Sequence, residues 1–288
     1  MKKIRAALVI LLCACLLAAA AAAEEEEIDL EDLLDIEITE IEEAAVWTFP
    51  IALEDMNPEY IRLVNNHYQL DEDYVPDDLV KLVKDPDSGP SKGGVRWDGS
   101  QSDGKYVGQY LREDCAQALY EMNAVMRSID GFKVMYVKSA YRSYSKQKSI
   151  LGGRANPNDG WVARPGCSDH QTGLGCDFIP YNWTKKSGRT GGMNDKMMKE
   201  KECQWMAEHC QEYGFIIRYP SDKKEITEIN SEPWHLRYVG IPVATYIMEN
   251  NLCLEEFTEQ LQEAIQDYLA RGGDTAKVEA YIQTPTDE

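Results

Sequence analysis

Residues 167–178 read CSDHQTGLGCDF, and this stretch limits the fold more than any other part of the chain. It sets His170 seven positions ahead of Asp177, with Gly173 near the midpoint and Cys167 and Cys176 towards the two ends. A turn at Gly173 followed by a strand over 176–179 brings an imidazole and a carboxylate to one point, as two ligands of a metal ion. Zinc at a hydrolytic site takes three protein ligands and keeps a fourth position for water, whose pKa it lowers to about 7. The third ligand must come from a distant segment. His235 is the candidate, because Glu232 stands three residues before it, where a carboxylate can take a proton from water at the metal and hand it to a leaving amine. Two histidines and one carboxylate around an open position favour Zn2+. The cysteines leave two other readings open: a Cys167–Cys176 disulfide closing a short loop around His170, and a structural zinc held by Cys167, His170 and Cys176. The second leaves Asp177, Glu232 and His235 without a common purpose.

The 288-residue chain opens with Lys2, Lys3 and Arg5 ahead of an unbroken apolar run, AALVILLCACLLAAAAAA, that ends in alanines. That order reads as an export signal or, if retained, an N-terminal membrane anchor. Residues 24–43 follow with twelve acidic residues and no basic one, a block that repels itself and stays solvated as a spacer. Setting aside the three N-terminal positive charges and this block, the formal charge of −20 falls to −11 on residues 44–288. A nucleic-acid partner is excluded, since phosphate binding needs clustered Lys and Arg. Cys115, Cys167, Cys176, Cys203, Cys210 and Cys253 remain after the leader. Their even number allows disulfides in an exported chain without choosing among pairings. Cys203 and Cys210 lie two helical turns apart, about 10 Å, too far to pair with each other.

From Trp47 the pattern is that of a globular domain. Residues 63–82 read as an extended arm, a turn and a short helix. Leu111, Cys115, Leu119, Met122 and Met126 recur at three and four spacing, an amphipathic helix that stops at Gly131. FKVMYVKS is a strand to about Ser139, GCDFIPYNW a second, FIIRYP a third, and EPWHLRYVG a fourth. Residues 195–213 form a second helix closed by Gly214, KKEITEIN a turn and strand edge, and 241–270 a helix before a polar tail. His209 falls on a helix surface and His67 in a solvated turn. Helices interrupt short, turn-linked strands, so the fold class is α+β, a small antiparallel sheet flanked by helices. The expected organisation is a signal or anchor at 1–23, the acidic spacer at 24–46, the domain at 47–257, and a C-terminal helix and polar tail at 258–288.

SDHQTGLGCD resembles the pattern S-x-H-x-x-G-x-A-x-D, and EPWHLRYVG resembles E-P-W-H-x-R-Y, of the VanY-type zinc D,D-carboxypeptidases in the D,D-peptidase/hedgehog-like metallopeptidase group. LVNNHYQLDEDYVPDDLV, SAYRSYSKQ, GFIIRYP and LCLEEF stand in that family's order, so the resemblance covers roughly residues 60–257. It implies a single zinc peptidase domain in which His170, Asp177 and His235 hold zinc. Glu232 would act as general base and then acid, and Arg142 would stabilise charge building on the scissile carbonyl, which suits a planar, permanently charged fork. Ser168 would bind the substrate's terminal carboxylate, Gln147 would line the same pocket, and Trp234 would shape it. The implied substrate is a peptidoglycan stem peptide ending in D-Ala-D-Ala, met by a monomer outside the cytoplasm in a bacterial cell envelope. A D,D-dipeptidase, a wall endopeptidase and an inactive zinc-stabilised binding module are the alternatives on this scaffold. Gly175 stands where the pattern has alanine, which is expected to soften the loop.

Overall fold

The two histidine motifs lie on neighbouring strands of a five-stranded sheet. In a computed structural model that describes residues 45–83, 95–97, 102–184 and 193–286, the chain runs through five short strands. These are β1 (Leu79–Lys81), β2 (Arg96–Trp97), β3 (Ser102–Asp103), β4 (Tyr106–Val107) and β5 (Tyr110–Arg112). Helix α1 (Glu113–Ser128), β6 (Met135–Ser139), α2 (Tyr144–Gly152) and β7 (Gly175–Pro180) follow. Then come α3 (Lys201–His209), β8 (Phe215–Tyr219), α4 (Lys224–Thr227), β9 (Glu232–Tyr238), α5 (Ile241–Glu249), α6 (Leu254–Ala270) and α7 (Thr275–Val278). The sheet order is β2-β6-β7-β9-β8, while β1 with β5 and β3 with β4 make separate two-stranded ribbons. The α+β class holds, with one amendment: β2 joins β6 in parallel, and the other three pairings are antiparallel.

Register does the work of assembling the site. Asp177 of β7 sits opposite His235 of β9, and Glu232 at the start of β9 sits opposite Tyr219 at the end of β8. Directly opposed residues in an antiparallel pair bring their side chains within about 5 Å, so pairing alone gathers Asp177 with His235 and sets Glu232 one strand end away. Beneath the sheet, Leu119, Met122, Val137, Cys176, Phe178, Cys203 and Leu236 share one core cluster. A second cluster joins Ile61, Ile216, Val243, Phe257, Leu261 and Ile265.

Several local expectations change. The segment 63–82 carries no helix; its end forms β1, which pairs with β5. Helix α1 begins only at Glu113, because Gly104 and Gly108 take left-handed φ values of 55° and 115° that belong to turns, so Leu111 packs from β5. The 195–213 helix is interrupted at Glu200, which is extended, leaving α3 between two 3-10 turns. KKEITEIN contains helix α4 rather than a strand edge. The 241–270 helix breaks at Asn251, φ 51°, and restarts at α6, where the Cys253 N–H donates to Glu256 Oε2 at 2.8 Å and the Cys253 side chain caps the other way.

The C-terminal segment set apart at 258 packs with the rest: Ala45–Glu288 is one compact unit, Val278 is buried, and the Tyr281 hydroxyl donates to the Leu53 carbonyl. The signal or anchor at 1–23 and nearly all of the acidic spacer lie outside the described residues. No helix among the described residues is long and apolar enough to cross a membrane.

Candidate metal centre

Gly173, at φ 70°, closes the 3-10 turn Asp169–Thr172 and turns the chain into β7, so His170 and Asp177 converge from the two sides of that corner. The turn is bonded to the loop after β6 in both directions. His170 Nδ1 donates to the Ala140 carbonyl at 2.7 Å, and the Arg142 amide donates to the His170 carbonyl at 3.1 Å. A carbonyl only accepts, so the first bond puts the proton on Nδ1 and leaves the Nε2 lone pair facing Asp177, whose Oδ2 is 3.5 Å away. His235 presents Nδ1 to the same carboxylate, 3.1 Å from Asp177 Oδ1 and 3.7 Å from Glu232 Oε2. One ligand atom from each of His170, Asp177 and His235 fits within a 4.8 Å span, and all three residues are buried.

The donor set fits zinc. Among the described residues Asp177 Oδ1 is buried without a hydrogen bond of good geometry, although His235 Nδ1 approaches to 3.1 Å, so the two atoms are free to face one metal ion. Two imidazoles and a carboxylate leave one tetrahedral position open, the arrangement of a catalytic rather than a structural zinc. Burial opposes a charge on Asp177, yet His170 and His235 hold its carboxyl well below the usual range. Burial and the neighbouring Arg142 guanidinium push the His170 imidazole down to about 4, keeping it neutral as a ligand must be. Glu232 moves the other way: burial and the Asp177 charge hold its carboxyl well above the usual range, against the pull of Arg142. Burial also lowers the Arg142 pKa, while Asp177 and Glu232 favour its charge.

The cysteine alternatives fail here. Cys167 and Cys176 are free thiols, as are the other four described cysteines. Successive strand side chains point to opposite faces, so Asp177 turns to the metal cluster while Cys176 joins the core with Cys115. Gly175 is the first residue of β7 rather than part of a softened loop. A methyl group there would press within 3.0 Å of Asp169 Cβ and 3.1 Å of His235 Nε2.

A cavity of about 440 Å³ opens over the cluster and is bordered by Arg142, Ser168, Trp234 and Glu232 as well as His170, Asp177 and His235. Gln147 is not among its walls. It is buried behind them, where its Nε2 donates to the Ala163 carbonyl at 2.7 Å and holds the lining backbone in place. Trp234 stacks on Trp161, ring centroids 6.4 Å apart and planes 14° apart. Tyr219, Arg154 and Trp161 also border the cavity and were missed in the sequence: Arg154 and Trp161 sit in a segment without a motif, and Tyr219 lies in GFIIRYP, whose alternation reads only as a strand. So was Asp169, whose carboxylate is fully buried and takes hydrogen bonds from Arg218 Nε at 2.8 Å and from Arg237 Nη1. Arg218 continues bidentately to Glu255, at 2.8 and 2.7 Å, and Arg237 to the carbonyls of Tyr60 and Arg62. The pairing of a small buried acid beside His170 with an arginine two places after His235 was the available signal. His209, bonded to Glu212 and stacked on Trp205, and the exposed His67 are the surface residues expected.

Comparison with known proteins bears on which chemistry this centre serves. Residues 108–241 match the family model described as VanY, D-alanyl-D-alanine carboxypeptidase. The Bacillus subtilis protein YodJ, which carries a provisional carboxypeptidase name, is 37% identical over 216 residues, covering 72% of this chain and 70% of its own. The chain belongs to the VanY family. A D-alanyl-D-alanine carboxypeptidase of Enterococcus faecium is 32% identical over 203 residues, 70% of this chain, and the match spans 58% of that protein's length. Among solved structures, the LdcB LD-carboxypeptidase, described for its recognition of peptidoglycan, superposes with a TM-score of 0.55 at 36% identity, over 70% of this chain and 87% of that one.

Proposed function

We propose that this VanY-family chain is a zinc-dependent D,D-carboxypeptidase that hydrolyses the terminal D-Ala-D-Ala bond of peptidoglycan stem peptides. The observation that carries the reading is Glu232: a carboxyl only about 13% exposed, 3.7 Å from His235 Nδ1, in one cavity with Arg142 and the three candidate ligands. His170, Asp177 and His235 would hold zinc, which when bound would supply Lewis acidity and the means to acidify a water. Glu232 accepts the proton of the attacking water at its carboxylate and returns it to the departing amine nitrogen, as a carboxylate positioned beside the metal ligands can. Arg142, the charged fork beside Asp177 and Glu232, donates to the scissile carbonyl oxygen as negative charge builds there. Ser168 donates to the substrate's terminal carboxylate, and Trp234, buttressed by Trp161, excludes water from one side of the site. Gln147 acts one layer back, through Ala163. The base and the arginine weigh against an inactive binding module, which needs neither.

The substrate sits outside the cytoplasm, and the charged, apolar and alanine-rich order of residues 1–23 supports export, with the acidic block as a spacer. A second reading is an L,D-carboxypeptidase, which also releases D-alanine but from a stem whose preceding residue is L; the likeness to LdcB favours it. The deciding experiment gives the zinc-loaded full chain two acylated peptides, one ending in D-Ala-D-Ala and one in an L-residue followed by D-Ala. Chelated enzyme is the blank. D-alanine release from the first alone is the expected result; release from the second alone moves the chain to the L,D class, and no release from either ends the proposal.

A further inference from the structure

An enzyme that removes only the last residue must recognise a free carboxylate, and an arginine fork is the strongest partner a side chain offers it. Among the described residues the cavity has two permanent cations, Arg142 and Arg154. Arg142 is committed to the reacting centre by its Asp177 and Glu232 neighbours. Arg154 lies apart from it, in the loop that leads from α2 to Ser168. Its side chain keeps about 32% of its surface exposed, and its one hydrogen-bonded partner among the described residues is Asp159, through Nη2. The guanidinium carries five N–H donors in a fixed fork, so its Nη1 end is left for a ligand. Among the described residues the covered Nε also has no partner.

The loop holding Arg154 is built rather than slack. The Asp159 Oδ1 accepts from the Trp161 amide at 3.1 Å, the Asp159 carbonyl accepts from Asn230 Nδ2 at 2.8 Å, and the Asn230 amide donates to the Gly160 carbonyl at 2.8 Å. Gly160 takes φ 75° to make that turn. Trp161 borders the same cavity as Arg154, as do Val162 and Ala163, whose carbonyl Gln147 holds.

We infer that Arg154, oriented by Asp159, is the anchor for the substrate's terminal carboxylate and so makes this chain an exopeptidase. The inference rests on the carboxypeptidase reading above. A carboxylate received by an arginine fork makes charge-assisted bonds, stronger than those a lone serine hydroxyl provides, and Ser168 borders the same cavity as a second donor.

The test is a pair of peptides differing only in the last group, a free carboxylate or a carboxamide, given to the zinc-loaded full chain and to Arg154→Ala and Arg154→Lys. Wild-type enzyme is expected to prefer the carboxylate. Arg154→Ala should lower kcat/KM for the carboxylate peptide by 10- to 100-fold while changing the amide peptide less than threefold, and Arg154→Lys should fall between, because it keeps the charge and loses the fork. Equal losses on both peptides, or no loss on either, would overturn the anchor, since a merely structural arginine affects the two alike. Asp159→Asn leaves Arg154 in place but unclamped and should show the same selective loss in weaker form; loss on the amide peptide would count against the inference. Silence of the wild-type enzyme on the carboxylate peptide would instead strike at the carboxypeptidase reading itself.

Discussion

Asp169 shows how much of this active site rests on buried charge. Its carboxylate is fully buried between Arg218 and Arg237, both also fully buried, and Arg218 passes on to Glu255, which is about 10% exposed. The four charges cancel. Replacing Asp169 by Asn keeps the shape and removes one negative charge, so an amide N–H meets one of two arginine donors. Where that arginine is Arg237, the carbonyls of Tyr60, Arg62 and Tyr238 remain as its acceptors, and where it is Arg218, Glu255 remains. Removing one partner of a buried ion pair costs about 3–5 kcal/mol, a large share of the 5–15 kcal/mol that holds a typical domain together. Urea unfolding of the metal-free protein should show that loss as a lower midpoint at unchanged slope. Zinc affinity, measured by competition with a chromophoric chelator, should fall by about 10- to 100-fold. Asp169 directly precedes His170, and its Oδ2 is 3.9 Å from His235 Nε2. Glu255→Gln, nearer to water, should cost less and spare zinc affinity. A loss below about 1 kcal/mol for Asp169→Asn would refute the reasoning, because it would mean that water or relaxation compensates the arginines.

Two further outcomes follow from the same structure. Glu256 caps α6 through the Cys253 amide and pairs with Lys223 at 3.0 Å. Burial opposes its charge, but those partners hold its pKa below the usual value. The stability it adds, about 1 kcal/mol for a cap, is therefore full above the unfolded pKa of about 4.3 and lost as pH falls through the folded value. Glu256→Ala should be destabilised at pH 7 in urea and approach wild type below pH 4, and a gap that widens in acid would contradict the assignment. Because all six described cysteines are free, alkylation of the denatured, unreduced domain should label each of them, and reductant should leave the unfolding midpoint unchanged; a Cys167–Cys176 pair protected from label would overturn this.

Much of the site was legible because its chemistry fixes residue types at fixed spacing. His170, Gly173 and Asp177 mark a turn into a strand, and Glu232 with His235 marks the proposed base beside a candidate ligand, and the β7–β9 register brings Asp177 and His235 together. What the pattern hid was local backbone choice. Gly104 and Gly108 delay α1, and Asn251 divides the last long helix, through left-handed φ values that apolar periodicity does not register. Long-range satisfaction was hidden as well. Asp169 and Arg237 stand at fixed offsets from His170 and His235, but no spacing shows that they also meet Arg218 and Glu255, since the four come from a turn, two strands and a helix. Gln147 reads as a pocket residue from its motif, and only the 2.7 Å bond to Ala163 shows that it works from behind the wall.

The most direct test of the central claim compares the zinc-loaded full chain with Glu232→Gln, recording bound zinc and D-alanine release from an acylated D-Ala-D-Ala peptide in the same samples. Glutamine keeps the size of the side chain but can neither take nor return a proton. With His170, Asp177 and His235 intact, the variant should retain one zinc per chain while kcat falls by about 10²–10⁴, the range a positioned general base contributes. A variant that binds zinc and turns over at the wild-type rate would contradict the account.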